Sequence, residues 1–383
     1  MSPRREHKQH LDAAARAALR AAGDVEPNPL VGCVIVDPSG RIIGRGHHRR
    51  FGEPHAEIEA LADCARRGHS PAGATVYTTL EPCNHHGKQP PCTDALIAAK
   101  VARVIFARHD PNPSARGGAE RLAEAGIAAE FSDASPLATR LTDPFIKRIT
   151  TGTPWVIAKW AQTIDGRVAT RTGQSQWISS EASRRMVHRL RSRVDAVLTG
   201  IGTVKADNPL LTARKVPRLR RVARRVVVDP LLETPATSAL VRSISRGGTD
   251  GGGAPLTIAC AEMALSLRAE ARDALIAAGA EIVGLPGQPE RLDLTVLLRH
   301  LAQAHQASNV LVEAGPGLVG SLVRDQLIDE AVVFIAPMLM ADEHARPLAA
   351  GHVAPWLSDA RRYELVRMTR RGPDAVLVYR RPI

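Results

Sequence analysis

Between residues 52 and 92 the chain reads Gly-Glu-Pro-His-Ala-Glu, then a short apolar run, then Leu-Glu-Pro-Cys, and after eight intervening residues a second Cys. That order constrains the fold around it. Pro54 suits the start of a helix, which places His55 and Glu57 in a first turn where backbone donors are free and anions are favoured. Thr75–Thr79 reads as a strand that leads into Cys83. One imidazole and two thiolates form a donor set suited to zinc with its fourth position open to water.

His-x-Glu followed by Pro-Cys and a second Cys is the pattern of zinc deaminases, in which the Glu is not a ligand. His55, Cys83 and Cys92 are therefore the expected ligands of one zinc. Glu57 is the expected acid–base group, moving protons between water, the ring and the departing ammonia. His85 and His86 are rival ligands by residue type, with loop and pocket roles as the simpler reading for both. The cysteines are separated by eight residues, not the two of the common Pro-Cys-x-x-Cys form. That spacing lengthens the loop His85–Pro91 beside the pocket.

The chain is too long, at 383 residues, for one typical core. From Leu11 to Glu130 helices and short apolar strands alternate: helix 11–22, strands Val31–Val36 and Ile42–Gly46, helix His55–Arg67, strand Thr75–Thr79, helix Thr93–Ala99, strand Arg103–Ala107, helix Ala115–Ala125 and a strand near Ile127–Glu130. This reads as a three-layer α/β domain over residues 1–150. A bridging segment, Ala134–Thr153, precedes a second α/β domain over 151–383. Its strands are Trp155–Trp160, Ala196–Thr199, Arg225–Asp229, Leu256–Cys260, Glu281–Leu285, Asn309–Glu313 and Ala331–Ala336, and a hairpin turning at Gly372-Pro373-Asp374 makes the sheet partly antiparallel. Gly247–Gly253 reads as a surface loop.

No run approaches the roughly eighteen apolar residues of a membrane span, no apolar signal core follows the polar start, and five scattered cysteines do not form a disulfide framework. A cytoplasmic enzyme is expected. The net charge of +12 raises the question of nucleic acid. Much of the excess lies in Arg214–Arg225, seven basic residues in twelve, with no aromatic among them. A single-strand platform interleaves stacking aromatics, so a solvated basic loop is the expectation, with a phosphate-attracting field as the alternative. A base deaminase with a basic nucleic-acid platform, and a deaminase with a degenerate second half, are the competing readings.

Five stretches of the first half carry a family likeness: Glu26-Pro27-Asn28-Pro29, Val31–Val36, Gly44-x-Gly46-x-His48, Gly-Glu-Pro-His-Ala-Glu and Thr-Leu-Glu-Pro-Cys-Asn-His-His-Gly-Lys-Gln-Pro-Pro-Cys. They resemble the bifunctional riboflavin-biosynthesis deaminase/reductase family, and the likeness runs essentially end to end. It implies a cytidine-deaminase-like N-terminal domain and a dihydrofolate-reductase-like, NADPH-using C-terminal domain. It implies deamination of 2,5-diamino-6-ribosylamino-4(3H)-pyrimidinone 5′-phosphate, then reduction of the ribosyl chain to ribityl. It also implies that Asn28 and His48 hold the pyrimidine or ribose phosphate. A phosphorylated pyrimidine is then the small-molecule partner, with no nucleic acid and no membrane, and a homo-oligomer fits the family.

In the second half the likeness rests on Ala158–Arg167, Gly173–Ser180, Thr203–Arg214 and Val312–Pro316. It implies that Ala161, Trp177, Thr203, Asp207 and the turn Gly315-Pro316-Gly317 line the cofactor, and that Ser175, Arg191, Leu211, Arg214 and Glu313 face substrate. Arg191 and Arg214 suit a phosphate, because guanidinium forks match its oxygens. Lys159 is also placed at the substrate, and with Asp207 is a candidate to polarise or protonate the opening ribose. The family's Ala-Asp-Asp-Pro stands here as Ala206-Asp207-Asn208-Pro209, so position 208 carries no catalytic expectation. Gly315–Gly320 fits G-x-G-x-x-G after a strand, but a Rossmann domain opens with this motif and places an acidic residue about twenty positions on, whereas here the next strand begins only about ten residues later and the chain is nearly finished. A glycine turn cradling a dinucleotide phosphate outside a Rossmann domain is the stronger reading. Asp165-Gly166 reads most simply as a hairpin turn, and Trp177 has a core plug as its alternative.

Overall fold

The computed structural model describes residues 2–86, 90–244, 253–351 and 354–382. Most of the Gly247–Gly253 loop, and the middle of the loop His85–Pro91, lie outside them. The chain divides into two compact units, Met1–Gly152 and Thr153–Ile383.

The first unit has five strands, β1 Gly32–Val36, β2 Ile42–His47, β3 Thr75–Thr78, β4 Arg103–Phe106 and β5 Ala128–Phe131, in the order β2-β1-β3-β4-β5. β1 pairs antiparallel with β2 and β3, and β3, β4 and β5 run parallel. Its helices are α1 Pro3–Ala18, α2 Ala56–Arg66, α3 Cys92–Ala98, α4 Gly118–Glu124, α5 Pro136–Leu141 and α6 Asp143–Thr151. β1 is buried along its whole length, as its unbroken apolar run requires of a strand covered on both faces. Leu11, Ala14, Ala15 and Ala18, spaced along one stripe of α1, pack with α5 on one face. Ala56, Ala60 and Cys64 of α2, Leu96 of α3 and Leu122 of α4 cover the other. Three layers result, as the alternation of elements predicts.

Two expectations are corrected here. α1 starts at Pro3, not Leu11: Pro3 sits in its first turn, Glu6 complements the helix dipole, and buried His7 and His10 pack on the Tyr77 ring, 5.8 and 4.8 Å between centroids. A polar start thus hides a helix that buries histidines. The bridging segment is mostly the helices α5 and α6, the first capped by Ser135, whose Oγ accepts from Ala138 N at 3.1 Å.

The second unit continues with β6 Trp155–Gln162, β7 Ala196–Gly200, β8 Arg224–Val228, β9 Leu256–Ala261, β10 Glu281–Leu285, the short pair β11 Gly287–Gln288 and β12 Arg291–Leu292, β13 Asn309–Val312, β14 Glu330–Ile335, β15 Glu364–Arg371 and β16 Asp374–Arg380. Apart from the short pair these form one sheet, β10-β9-β8-β7-β13-β6-β14-β16-β15. It is parallel from β10 to β14 and antiparallel through the final hairpin. The helices are α7 Glu181–Arg191, α8 Ile201–Asp207, α9 Ala239–Arg242, α10 Glu262–Leu267, α11 Ala269–Ala277, α12 Leu294–Ala304 and α13 Pro316–Arg324.

The solvated reading of Arg214–Arg225 fails at its end. Arg224 and Arg225 lie in β8, and Arg225 is fully buried, its guanidinium donating to Leu240 O at 3.0 Å, Ser243 Oγ at 2.6 Å and Ala254 O. Arg221 pairs with Asp195. A buried guanidinium is tolerated because carbonyl and hydroxyl oxygens accept from both of its terminal nitrogens, although its buried Nε has no partner among the described residues.

Gly46 lies where β2 meets α2. A Cβ there would collide with Ala56 O and Ala60 N, so only glycine lets the helix that starts after His55 lie this close. Gly46→Ala is predicted to destabilise the first unit by about 1–3 kcal/mol and to lower its zinc retention. Thermal unfolding and elemental analysis check this; unchanged values would contradict the packing argument.

Candidate functional site

In the first unit three ligand-type side chains converge. His55 is the residue before α2, Cys92 begins α3, and Cys83 follows β3. His55 Nδ1 lies 3.3 Å from Cys92 Sγ and 3.5 Å from Cys83 Sγ, while Cys92 N donates to Cys83 Sγ at 3.4 Å. All three donor atoms fall within 4.8 Å of one another. Two soft sulfurs and one imidazole nitrogen aimed at one point suit zinc. His85 and His86 do not join this cluster.

Glu57, in the first turn of α2, is buried beside it. Its Oε1 accepts from Thr78 Oγ1 at 3.1 Å, and its Oε2 lies 3.5 Å from Cys92 Sγ. Burial, and then the charge of Cys83, push this carboxyl above its ordinary range. Contact with Cys92 is the largest influence on Cys83 and, with the His55 ring, holds that thiol down at about 4 against its burial. His48 is also buried: its Nδ1 is 3.1 Å from Pro54 O, its Nε2 is 3.1 Å from Asn28 Nδ2, and its ring meets that of His55 at 5.5 Å. Asn28 and His48 thus form one hydrogen-bonded pair beside the cluster of His55, Cys83 and Cys92. Thr78, which fixes Glu57, carries no signal in the sequence.

In the second unit a cleft of about 1290 Å³ opens at the C-terminal ends of β6, β7 and β13. That is where ligands bind in open parallel sheets. Ala161, Trp177, Thr203, Asp207, Gly315, Pro316 and Gly317 line it, and so do Lys159, Ser175, Arg191, Leu211, Arg214 and Glu313. Every residue expected at the second site is thus brought to one cavity. Gly315 caps α13, and a Cβ on Gly317 would meet nothing within 4 Å, leaving an open helix N-terminus. Six cationic side chains line the cleft against three carboxylates. Volume, open helix end and charge together fit a dinucleotide phosphate.

At the base of the cleft Glu313 holds two cations. Arg191 grips it through Nε at 2.6 Å and Nη2 at 3.0 Å, and Lys159 Nζ lies 3.5 Å away. Arg191 also donates to Thr212 O at 3.1 Å. The Arg191 fork is therefore committed to a carboxylate, whereas the Arg214 side chain is exposed at the rim. Trp177 is 65% exposed with the Arg184 guanidinium 4.5 Å over its ring, which rules out the core plug. Asp165-Gly166 forms a turn closed by Gly166 N to Thr163 O at 3.0 Å. Asn208 ends α8 in a left-handed conformation, and its Oδ1 accepts from Ala239 N at 2.7 Å, a structural use of that position. His188, half-buried in the cleft wall, was missed, as nothing around it in sequence marks it.

A deaminase site of this donor set, followed by a strand-end cleft for a dinucleotide, defines a two-domain deaminase–reductase. Residues 4–108 match the model of the cytidine and deoxycytidylate deaminase zinc-binding region, and residues 154–377 match the RibD C-terminal domain. The riboflavin biosynthesis protein RibD of Escherichia coli (strain K12) is 38% identical over 386 residues, covering 96% of this chain and 97% of the relative. A RibD structure from Acinetobacter baumannii superposes with TM-score 0.80 at 31% identity, covering 99% of this chain and 100% of that one. A diaminohydroxyphosphoribosylaminopyrimidine deaminase/5-amino-6-(5-phosphoribosylamino)uracil reductase from Thermotoga maritima superposes with TM-score 0.79 at 28% identity, covering 99% of each chain. The chain belongs to the RibD family of riboflavin biosynthesis proteins. It is an enzyme with a zinc-binding deaminase domain and an NADPH-dependent reductase domain.

Burial opposes ionisation of Glu313, but Arg191 and then Lys159 outweigh it and hold the carboxyl at about 2, below its ordinary 4.5. The charged group therefore stabilises the second unit above pH 4.5, and that contribution is lost as pH falls through about 2. The stability gap between wild type and Glu313→Gln should shrink by roughly 2–3 kcal/mol as pH falls from neutrality to about 2. Urea unfolding followed by tryptophan fluorescence reads this unit alone, because all four tryptophans lie in it. A gap independent of pH would contradict the pairing.

Proposed function

We propose that His55, Cys83 and Cys92 are the zinc ligands, that Glu57 is the proton carrier, and that the site deaminates 2,5-diamino-6-ribosylamino-4(3H)-pyrimidinone 5′-phosphate. The observation that carries the reading is the convergence of the three donors with a buried carboxylate beside them. When bound, the metal supplies a Lewis acid that makes hydroxide available near neutral pH. Glu57, held in place by the Thr78 hydroxyl on Oε1, takes the attacking water's proton at Oε2 and passes it to the ring nitrogen, then carries the adduct's hydroxyl proton to the departing ammonia. Asn28 and His48 position the pyrimidine or its ribose phosphate.

In the second unit bound NADPH would supply the hydride that reduces the ribose anomeric carbon, for the product 5-amino-6-ribitylamino-uracil 5′-phosphate. Gly315, Pro316 and Gly317, with Ala161, Trp177, Thr203 and Asp207, hold the dinucleotide. Ser175, Leu211 and Arg214 face the substrate, with Arg214 on its phosphate. Glu313 and Arg191 fix the Lys159 ammonium, which polarises the opening ribose. The deaminated product of the first unit is the substrate of the second, and neither nucleic acid nor membrane takes part. Among the described residues no helix is long and apolar enough to cross a membrane. A homo-oligomer working in the cytoplasm completes the reading, and light scattering tests its assembly state.

Glu57→Gln should retain zinc by elemental analysis, lose deamination by about 10²–10⁴-fold, and leave NADPH oxidation with the deaminated substrate unchanged. Loss of both activities would refute independent sites. Arg214→Ala should raise the reductase KM for substrate more than that for NADPH, and the opposite split would reassign it to the cofactor.

A further inference from the structure

A second set of ligand-type side chains meets on the outer edge of the second unit, away from the cleft lining. β10 ends the large sheet, and Glu281 is its first residue. His300 lies in the last turns of α12, and His305 caps that helix with backbone that leaves the helical path (φ −117°, ψ 6°). His300 Nε2 is 2.9 Å from Glu281 Oε1; His305 Nε2 is 2.9 Å from Oε2 and 3.1 Å from Oε1. The two rings stand 5.3 Å apart, nearly perpendicular. All three ligand atoms lie within 4.8 Å of one another.

The rest of the carboxylate is occupied. Thr257 Oγ1 donates to Oε2 at 2.6 Å, and Arg224 Nη1 reaches both Oε2 and Thr257 Oγ1 at 3.0 Å. These contacts orient the group and leave Oε1 turned to the imidazoles.

We propose that Glu281, His300 and His305 form a second divalent-metal site, taking a borderline ion such as Zn²⁺ through Oε1 and the two Nε2 atoms. Bonds of about 2.0–2.1 Å in a tetrahedral site put neighbouring ligand atoms about 3.3 Å apart. The nitrogen–oxygen separations here need to open by only a few tenths of an ångström. Each side chain is between one fifth and one third exposed, so an ion can enter and water can complete its shell. Thr257 and Arg224 are the outer partners that hold a ligating carboxylate in register. Arg224 also opposes a second cation through its charge, and no thiolate is present, so this site binds more weakly than His55, Cys83 and Cys92. The ion would clip the sheet's last strand, bonded to a neighbour on one side only, to the end of the helix packed near it.

The test uses the untagged full-length enzyme holding one zinc per chain, titrated with Zn²⁺ by calorimetry at micromolar free metal. One further equivalent should bind and raise the melting temperature of the second unit. In the double variant His300→Gln/His305→Gln the further equivalent should vanish, while the first zinc and reductase turnover remain. The near-isosteric Glu281→Gln should bind it at least tenfold more weakly, and provides the same reading if the double variant does not fold. Wild type taking up no further equivalent, or a further equivalent kept at equal affinity by either variant, would overturn the proposal.

Discussion

The closeness of α2 to β2 is the contact on which the deaminase site depends. His55 caps the start of that helix and Glu57 sits in its first turn, and Cys83 and Cys92 arrive from a strand end and from the start of α3. Gly46 removes the side chain that would hold α2 away. Two helix N-termini then face one point, and their dipoles favour the thiolates and the carboxylate gathered there. A site of three donors and one buried acid is thus set by backbone packing before any ligand binds.

The reductase cleft rests on a different constraint. Its walls are the C-terminal ends of neighbouring parallel strands, where the chain must leave the sheet and where side chains from distant segments meet. Lys159 and Glu313 are 154 residues apart yet 3.5 Å from one another, and Arg191 joins them from a helix. A buried carboxylate flanked by two cations is costly to break and holds its members in one geometry.

The metal pattern was legible in sequence because zinc chemistry demands particular residue types, and because their order along strand–helix junctions leaves few ways to assemble them. The cleft residues were legible through family likeness, and they gather because they lie at strand ends. What the sequence hid was partnership. Arg191 reads as a phosphate ligand until Glu313 is found in its fork. Arg225 reads as solvated until its carbonyl acceptors are seen. The polar start with His7 and His10 reads as lying outside the first helix until Tyr77 is placed against it. In each case the deciding group lies at least 15 residues away in the chain, beyond the reach of local periodicity.

Zinc-edge X-ray absorption on protein carrying one zinc per chain tests the central claim most directly. The account predicts two sulfur scatterers near 2.3 Å and one imidazole nitrogen near 2.0–2.1 Å, with one light atom completing the shell, distances usual for zinc. Loss of one sulfur in Cys83→Ser should accompany weaker binding. A shell of nitrogen and oxygen alone, or two sulfurs retained in that variant, would contradict it.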